Sequence, residues 1–141
     1  MGSINWGRVI LGGLVAGLVV NVSEIILNVL VLPGAFEEAM QERGVPYEEG
    51  SQQIGIWVLW AFLFGIGAVW LYAAIRPRFG PGPGTALKAG FAAWFLASFL
   101  STIAMLNMGL FPVNLLAIGF VWGLVEMLLA TLAGAWVYRE A

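Results

Sequence analysis

Glu24 and Glu126 are the residues with the clearest capacity for chemistry, because each lies deep inside a long apolar stretch. Asn21 and Asn28 flank Glu24 at helical spacing. Together the four side chains form a candidate intramembrane site for a proton, a cation or a polar head group. Burial disfavours a carboxylate, so we expect each glutamate to be neutral unless water, a bound cation or a partner supports its charge. If the two carboxyls meet, they can share a proton.

The residue types that are missing exclude much other chemistry. The chain has no cysteine and no histidine, which removes thiol nucleophiles, Cys/His zinc sites, histidine-ligated haem and Ser-His dyads. No catalytic residue, metal site or cofactor is predicted. An enzyme acting on lipid or quinone is therefore the least favoured functional hypothesis.

The amino-acid composition indicates that these side chains lie in a membrane protein. Of the 141 residues, 61% are hydrophobic and only 10% are charged, far from soluble proportions. Four stretches are long enough to cross a bilayer, and stretches of this length favour helices over barrel strands. The sequence predicts an all-α, four-helix transmembrane bundle formed as one membrane domain over residues 1–141. The predicted helices cover about 9–32, 54–75, 86–110 and 113–137.

The distribution of charge predicts the orientation of the bundle. The side with both termini and the second connection has five basic residues against Glu140 alone, whereas residues 33–53 have five glutamates against Arg43. Because cytoplasmic loops collect lysine and arginine, both termini are predicted to be cytoplasmic. In the first connection, Ala35 to Arg43 is predicted to form a short interfacial helix.

Small residues at four-residue spacing predict how the first and fourth helices pack. Such spacing allows transmembrane backbones to approach closely. Each glutamate lies on the same face as the small residues of its helix, which predicts a seam that buries both carboxyls. The two faces contain Gly13, Gly17, Asn21, Glu24 and Asn28 on the first helix, and Gly119, Gly123, Glu126, Ala130 and Gly134 on the fourth.

Two functional hypotheses follow from this seam. In the first, protonated glutamates and asparagine amides hold the helices together through hydrogen bonds, and the protein has a non-enzymatic packing or accessory role. In the second, Glu24 and Glu126 line the path of a small proton- or cation-coupled transporter or conduit. The expected partners are the lipid bilayer and either a homo-oligomer or a larger membrane complex, with no nucleic acid.

Three strings carry a resemblance to known sequences: NWGRVILGGLVAGLVVNVSEIILN, LYAAIRPRFGPGPGTALKAG and WGLVEMLLATLAGAWVYRE. They resemble small bacterial four-helix integral membrane proteins that have no assigned activity, and the resemblance spans nearly the whole chain. It implies a multi-pass protein of the bacterial cytoplasmic (inner) membrane and nothing about a substrate.

Overall fold

The computed structural model describes residues 3–140, which form helices and no strand. Four long helices are each long and apolar enough to cross a bilayer, so the fold is that of a multi-pass membrane protein. A short helix, Ala35–Gln41, lies in the first connection. The four long helices cover Trp6–Val31, Ser51–Phe79, Pro83–Met108 and Val113–Val137.

The first long helix starts earlier than the apolar run because a polar side chain caps it. The Asn5 side chain accepts a 3.1 Å hydrogen bond from the backbone N–H of Arg8, so the helix begins at Trp6 rather than near residue 9. Its last six residues, Ile26–Val31, form a π-helix. Beside this wider turn the Asn28 amide donates 2.9 Å to the backbone carbonyl of Glu24.

The second long helix extends beyond the predicted range of 54–75 at both ends. It runs through Arg76 and Pro77 to Phe79, because backbone hydrogen bonding continues after the apolar run has ended. The N–H of Gly80 still bonds the carbonyl of Arg76 at 2.8 Å. Gly80 then takes a φ of 80°, which ends the helix.

The third long helix also departs from its predicted bounds of 86–110. It begins at Pro83, since proline fits the first turn, where its missing N–H has no helical partner. It contains a π-helical turn at Phe95–Phe99 and ends at Met108, because Gly109 has a φ of 64°. The fourth long helix covers Val113–Val137.

The four long helices form a closed ring at one end of the bundle. The first contacts the second and fourth most extensively, and the third bridges the second and fourth. We call this the terminal end, because the Asn5 N–H donates 3.3 Å to the Tyr138 hydroxyl and so holds the two ends of the chain together. The core lies mainly here, with Val9, Val69, Ala89 and Met127 almost completely buried.

The opposite end, which we call the loop end, contains residues 33–50 and 109–112 and is more open. All residues from 54 to 60 of the second long helix are exposed there. The short helix lies near the turn between the third and fourth long helices, where the Phe36 and Phe111 rings meet edge to face at 5.7 Å. The Arg43 guanidinium donates 2.7 Å to the carbonyl of Gly109 and holds the segment in place.

Candidate functional site

Glu24 and Glu126 lie next to each other where the first and fourth long helices meet. Their carboxyl groups are neighbours, and the Ser23 hydroxyl adjoins the Glu126 carboxyl. Glu126 is only 6% exposed and Glu24 is half-buried. Glu24 and Glu126 are therefore neighbours at the junction of these two helices.

The two asparagines behave differently. Asn28 donates 3.0 Å to Oε2 of Glu24, in addition to its bond to the Glu24 backbone, so it orients this carboxyl group. Asn21 instead donates 3.0 Å to the backbone carbonyl of Gly17, one turn earlier in its own helix. Asn28 thus bonds directly to the Glu24 carboxyl, whereas the hydrogen bond of the Asn21 side chain lies within its own helix.

Sequence reasoning missed Ser23 and Trp122 as members of the site. The indole N–H of Trp122 donates 2.9 Å to the Ser23 hydroxyl, across the junction of the first and fourth long helices. The hydroxyl accepts this bond, so its own proton is free for the adjacent Glu126 carboxyl. The available signals were the four-residue spacing of Trp122 and Glu126 on one helix face and the position of Ser23 directly before Glu24.

One oxygen of the pair has no hydrogen-bond partner. Oε2 of Glu126 is buried and unbonded within residues 3–140. Within the same described residues, the ion pair that is found joins Arg76 to Glu140 at 3.1 Å and lies at the terminal end, away from Glu126. The fourth long helix has no basic residue, and Arg8 lies near the start of the first. Buried polar atoms in proteins normally have a partner, and a proton, a water molecule or an ion can supply one for this oxygen.

The glycines of the first long helix pack mainly against a different neighbour from the one predicted. A Cβ at Gly13 would meet the backbone of Ile66, and one at Gly17 would meet Phe62 at 2.6 Å. From the other side, a Cβ at Gly65 would meet the backbone of Gly13 and Gly17. The Gly13–Gly17 stripe is therefore fitted to the second long helix.

The closest approach of the first and fourth long helices uses another pair. A Cβ at Gly12 would lie 2.6 Å from the Gly134 carbonyl, and one at Gly134 would lie 2.7 Å from the Gly12 carbonyl. Ala130 is fully buried. Gly119 and Gly123 have only ordinary contacts, the nearest being Phe36 at 3.9 Å and Trp94 at 3.7 Å respectively. Gly134 of the predicted seam thus lies in close contact with the first long helix, whereas Gly119 and Gly123 do not.

These contacts define what the site can do. Two carboxyls, one hydroxyl and one amide meet at an apolar helix junction, with no basic group bonded to either acid in the described residues. No group of three or more His, Cys, Asp or Glu side chains suited to a metal ion occurs between residues 3 and 140. Two neighbouring carboxyls of this kind can share one proton.

The fold and site define a class of protein: a multi-pass helical membrane protein with two neighbouring carboxyls, one of them buried, between its first and last long helices. Comparisons of the chain with protein-family models, with curated proteins and with solved structures find no match.

Proposed function

We propose that the protein is a small proton- or cation-coupled transporter or conduit in which Glu24 and Glu126 bind the ion. The observation that carries this proposal is the buried, unbonded Oε2 of Glu126 beside a second carboxyl group. A shared proton or a bound cation supplies the missing partner and offsets the cost of burying acid without base. Asn28 and Ser23 then hold the two carboxyls in position.

The charges favour access to this pair from the loop end. Five glutamates lie between residues 33 and 53, and they concentrate cations at that surface. Asn28 is exposed, so the polar cluster continues from Glu126 towards this end. In the proposed orientation the loop end is extracellular, both termini are cytoplasmic, and the short helix lies at the membrane interface. The bacterial inner membrane is the proposed location, on the resemblance described above.

The packing or accessory role is the second candidate, and a separate observation favours it. Residues 54–60 are apolar apart from glycine and are exposed around the whole helix circumference. Lipid or another protein must cover this segment, and a second copy or a larger complex would do so. In that role the carboxyl pair only joins two helices, and each hydrogen bond contributes about 0.6–2 kcal/mol.

Reconstitution into liposomes separates the two functions. We would measure flux driven by a pH gradient and by Na⁺ and K⁺ gradients, for the parent protein and for Glu24→Gln and Glu126→Gln. Glutamine keeps the size and hydrogen bonding of glutamate but cannot exchange a proton or balance a cation. Glu48→Gln makes the same change in an exposed loop residue and leaves the other four loop glutamates in place, so it is the matched control for the loss of one carboxylate outside the pair.

The transport proposal requires flux in the parent and in Glu48→Gln, with at least about a tenfold loss in both membrane variants while they stay folded. Absence of flux in the parent under all three gradients contradicts it. Unaltered flux in the two membrane variants contradicts the assignment of the ion to this pair. Earlier unfolding of these variants, with no flux in any form of the protein, favours the packing role.

A further inference from the structure

A lateral groove lies at the terminal end, away from the carboxyl pair. It has a volume of about 620 Å³ and runs between the start of the third long helix and the last turns of the fourth. Its lining is almost entirely apolar, so it suits a hydrocarbon chain rather than a polar solute. The residues that line it include Tyr72, Pro83, Ala86, Leu132, Ala133 and Trp136.

One polar group inside the groove has unused capacity. Tyr72 is only 4% exposed, and its hydroxyl accepts a 3.2 Å hydrogen bond from the backbone N–H of Gly82. Within residues 3–140 this hydroxyl donates no hydrogen bond, although a phenol can both accept and donate. Its proton is available to an acceptor oxygen at the wall of the groove, such as an ester carbonyl.

Basic side chains are concentrated at the terminal end, where the groove lies. Arg78 and Lys88 are both exposed, and they belong to the two helices that supply Tyr72 and Ala86 to the groove. The Lys88 ammonium lies 4.4 Å from the centre of the Phe79 ring, so its stem follows the protein surface. Glu140, the one acidic residue described at this end, is already paired with Arg76. The charge at the terminal end is therefore mainly positive, and the groove lies at this end.

We infer that the groove binds an acyl chain of an anionic phospholipid from the leaflet at the terminal end. The hydrocarbon lies along Ala86, Leu132 and Ala133, an ester oxygen accepts the Tyr72 proton, and the phosphate lies near Arg78 and Lys88. Apolar lining selects the chain and positive charge selects the head group. This lipid site is independent of the ion-binding function proposed for Glu24 and Glu126.

Native mass spectrometry of the full chain in mild detergent tests the inference. The protein is titrated with phosphatidylglycerol and, separately, with phosphatidylcholine of the same acyl chains. Ala133→Phe fills the groove, and Arg78→Gln combined with Lys88→Gln removes the nearby charge. Ala97→Phe adds the same ring at an exposed position of the third long helix and is the matched control. Thermal unfolding with and without lipid is recorded for every variant.

We expect phosphatidylglycerol to bind more tightly than phosphatidylcholine, by about fivefold for each basic residue that the phosphate meets. Ala133→Phe should abolish retention of both lipids, and the charge variant should keep binding but lose the preference. Equal binding of the two lipids in the parent overturns the head-group assignment. Unchanged lipid retention in Ala133→Phe, or equal loss in Ala97→Phe, overturns the assignment to the groove.

Discussion

The indole nitrogen of Trp122 lies 2.9 Å from the hydroxyl oxygen of Ser23, and this hydrogen bond joins the fourth long helix to the first. It is formed one residue before Glu24 and one helical turn before Glu126. The bond therefore fixes the register of the two helices at the level where their carboxyls meet. A serine and a tryptophan thus help to position the glutamate pair.

Replacing Trp122 with phenylalanine should remove this bond while keeping most of the ring. We expect a loss of about 0.5–1.5 kcal/mol in the free energy of unfolding, the range typical of one hydrogen bond. Denaturant titration in mixed micelles measures it. Trp136→Phe is the control, since Trp136 is 86% exposed. Equal stability of the Trp122 variant and the parent would show that the bond does not hold the helices.

Gly65→Ala should destabilise the pairing of the first and second long helices. The added methyl group would meet the backbone of Gly13 and Gly17, and overpacking of this kind costs about 1–3 kcal/mol. Gly67→Ala, two residues further along the same helix, meets nothing within 4 Å and should be close to neutral. The same unfolding titration compares the two. Similar effects of both substitutions would contradict the described contact.

Arg43→Gln should loosen the short helix Ala35–Gln41. The guanidinium bonds to the carbonyls of Gly109, at 2.7 Å, and Ala39, at 3.2 Å, both disappear. We expect faster amide hydrogen exchange across this helix and unchanged exchange in the second long helix. Glu42→Gln changes the adjacent exposed charge and is the control. Exchange that stays at the parent rate in Arg43→Gln would show that other contacts hold the segment.

The proposed orientation can be tested directly, because the chain has no cysteine of its own. Glu48→Cys and Arg139→Cys each place a single thiol at an exposed position, at the loop end and the terminal end respectively. In intact cells a membrane-impermeant maleimide should label the first variant and not the second. Lysed cells should allow labelling of both. The reverse pattern in intact cells would place the termini outside.

Much of the fold could be predicted from the sequence because the signals are local. The four apolar stretches have the length that a bilayer crossing requires, and the helices occur there. The predicted helix ends were less accurate than the predicted helices, since helix ends depend on the backbone conformation of individual residues. Gly80 and Gly109, both with positive φ, determine where the second and third long helices end, and the apolar run does not reveal this.

The partners of the small residues could not be predicted in the same way. Glycine stripes on several helices permit close approach, and spacing alone does not say which two stripes meet. Gly13 and Gly17 are fitted to Gly65 of the second long helix. Gly12 and Gly134 instead form the close contact between the first and fourth long helices. The choice depends on the shapes of all four helices packed together.

By itself, the sequence determined an all-helical chain of four apolar segments, the asymmetry of charge between its two ends, and two carboxyls isolated in apolar surroundings. These are properties of composition and order along the chain. Only the tertiary structure decided that Glu126 is buried beside Glu24 and Ser23, and that Trp122 secures this junction. The reason is physical: which groups meet across helices depends on the rotation and depth of each helix, and these follow from the packing of the whole bundle.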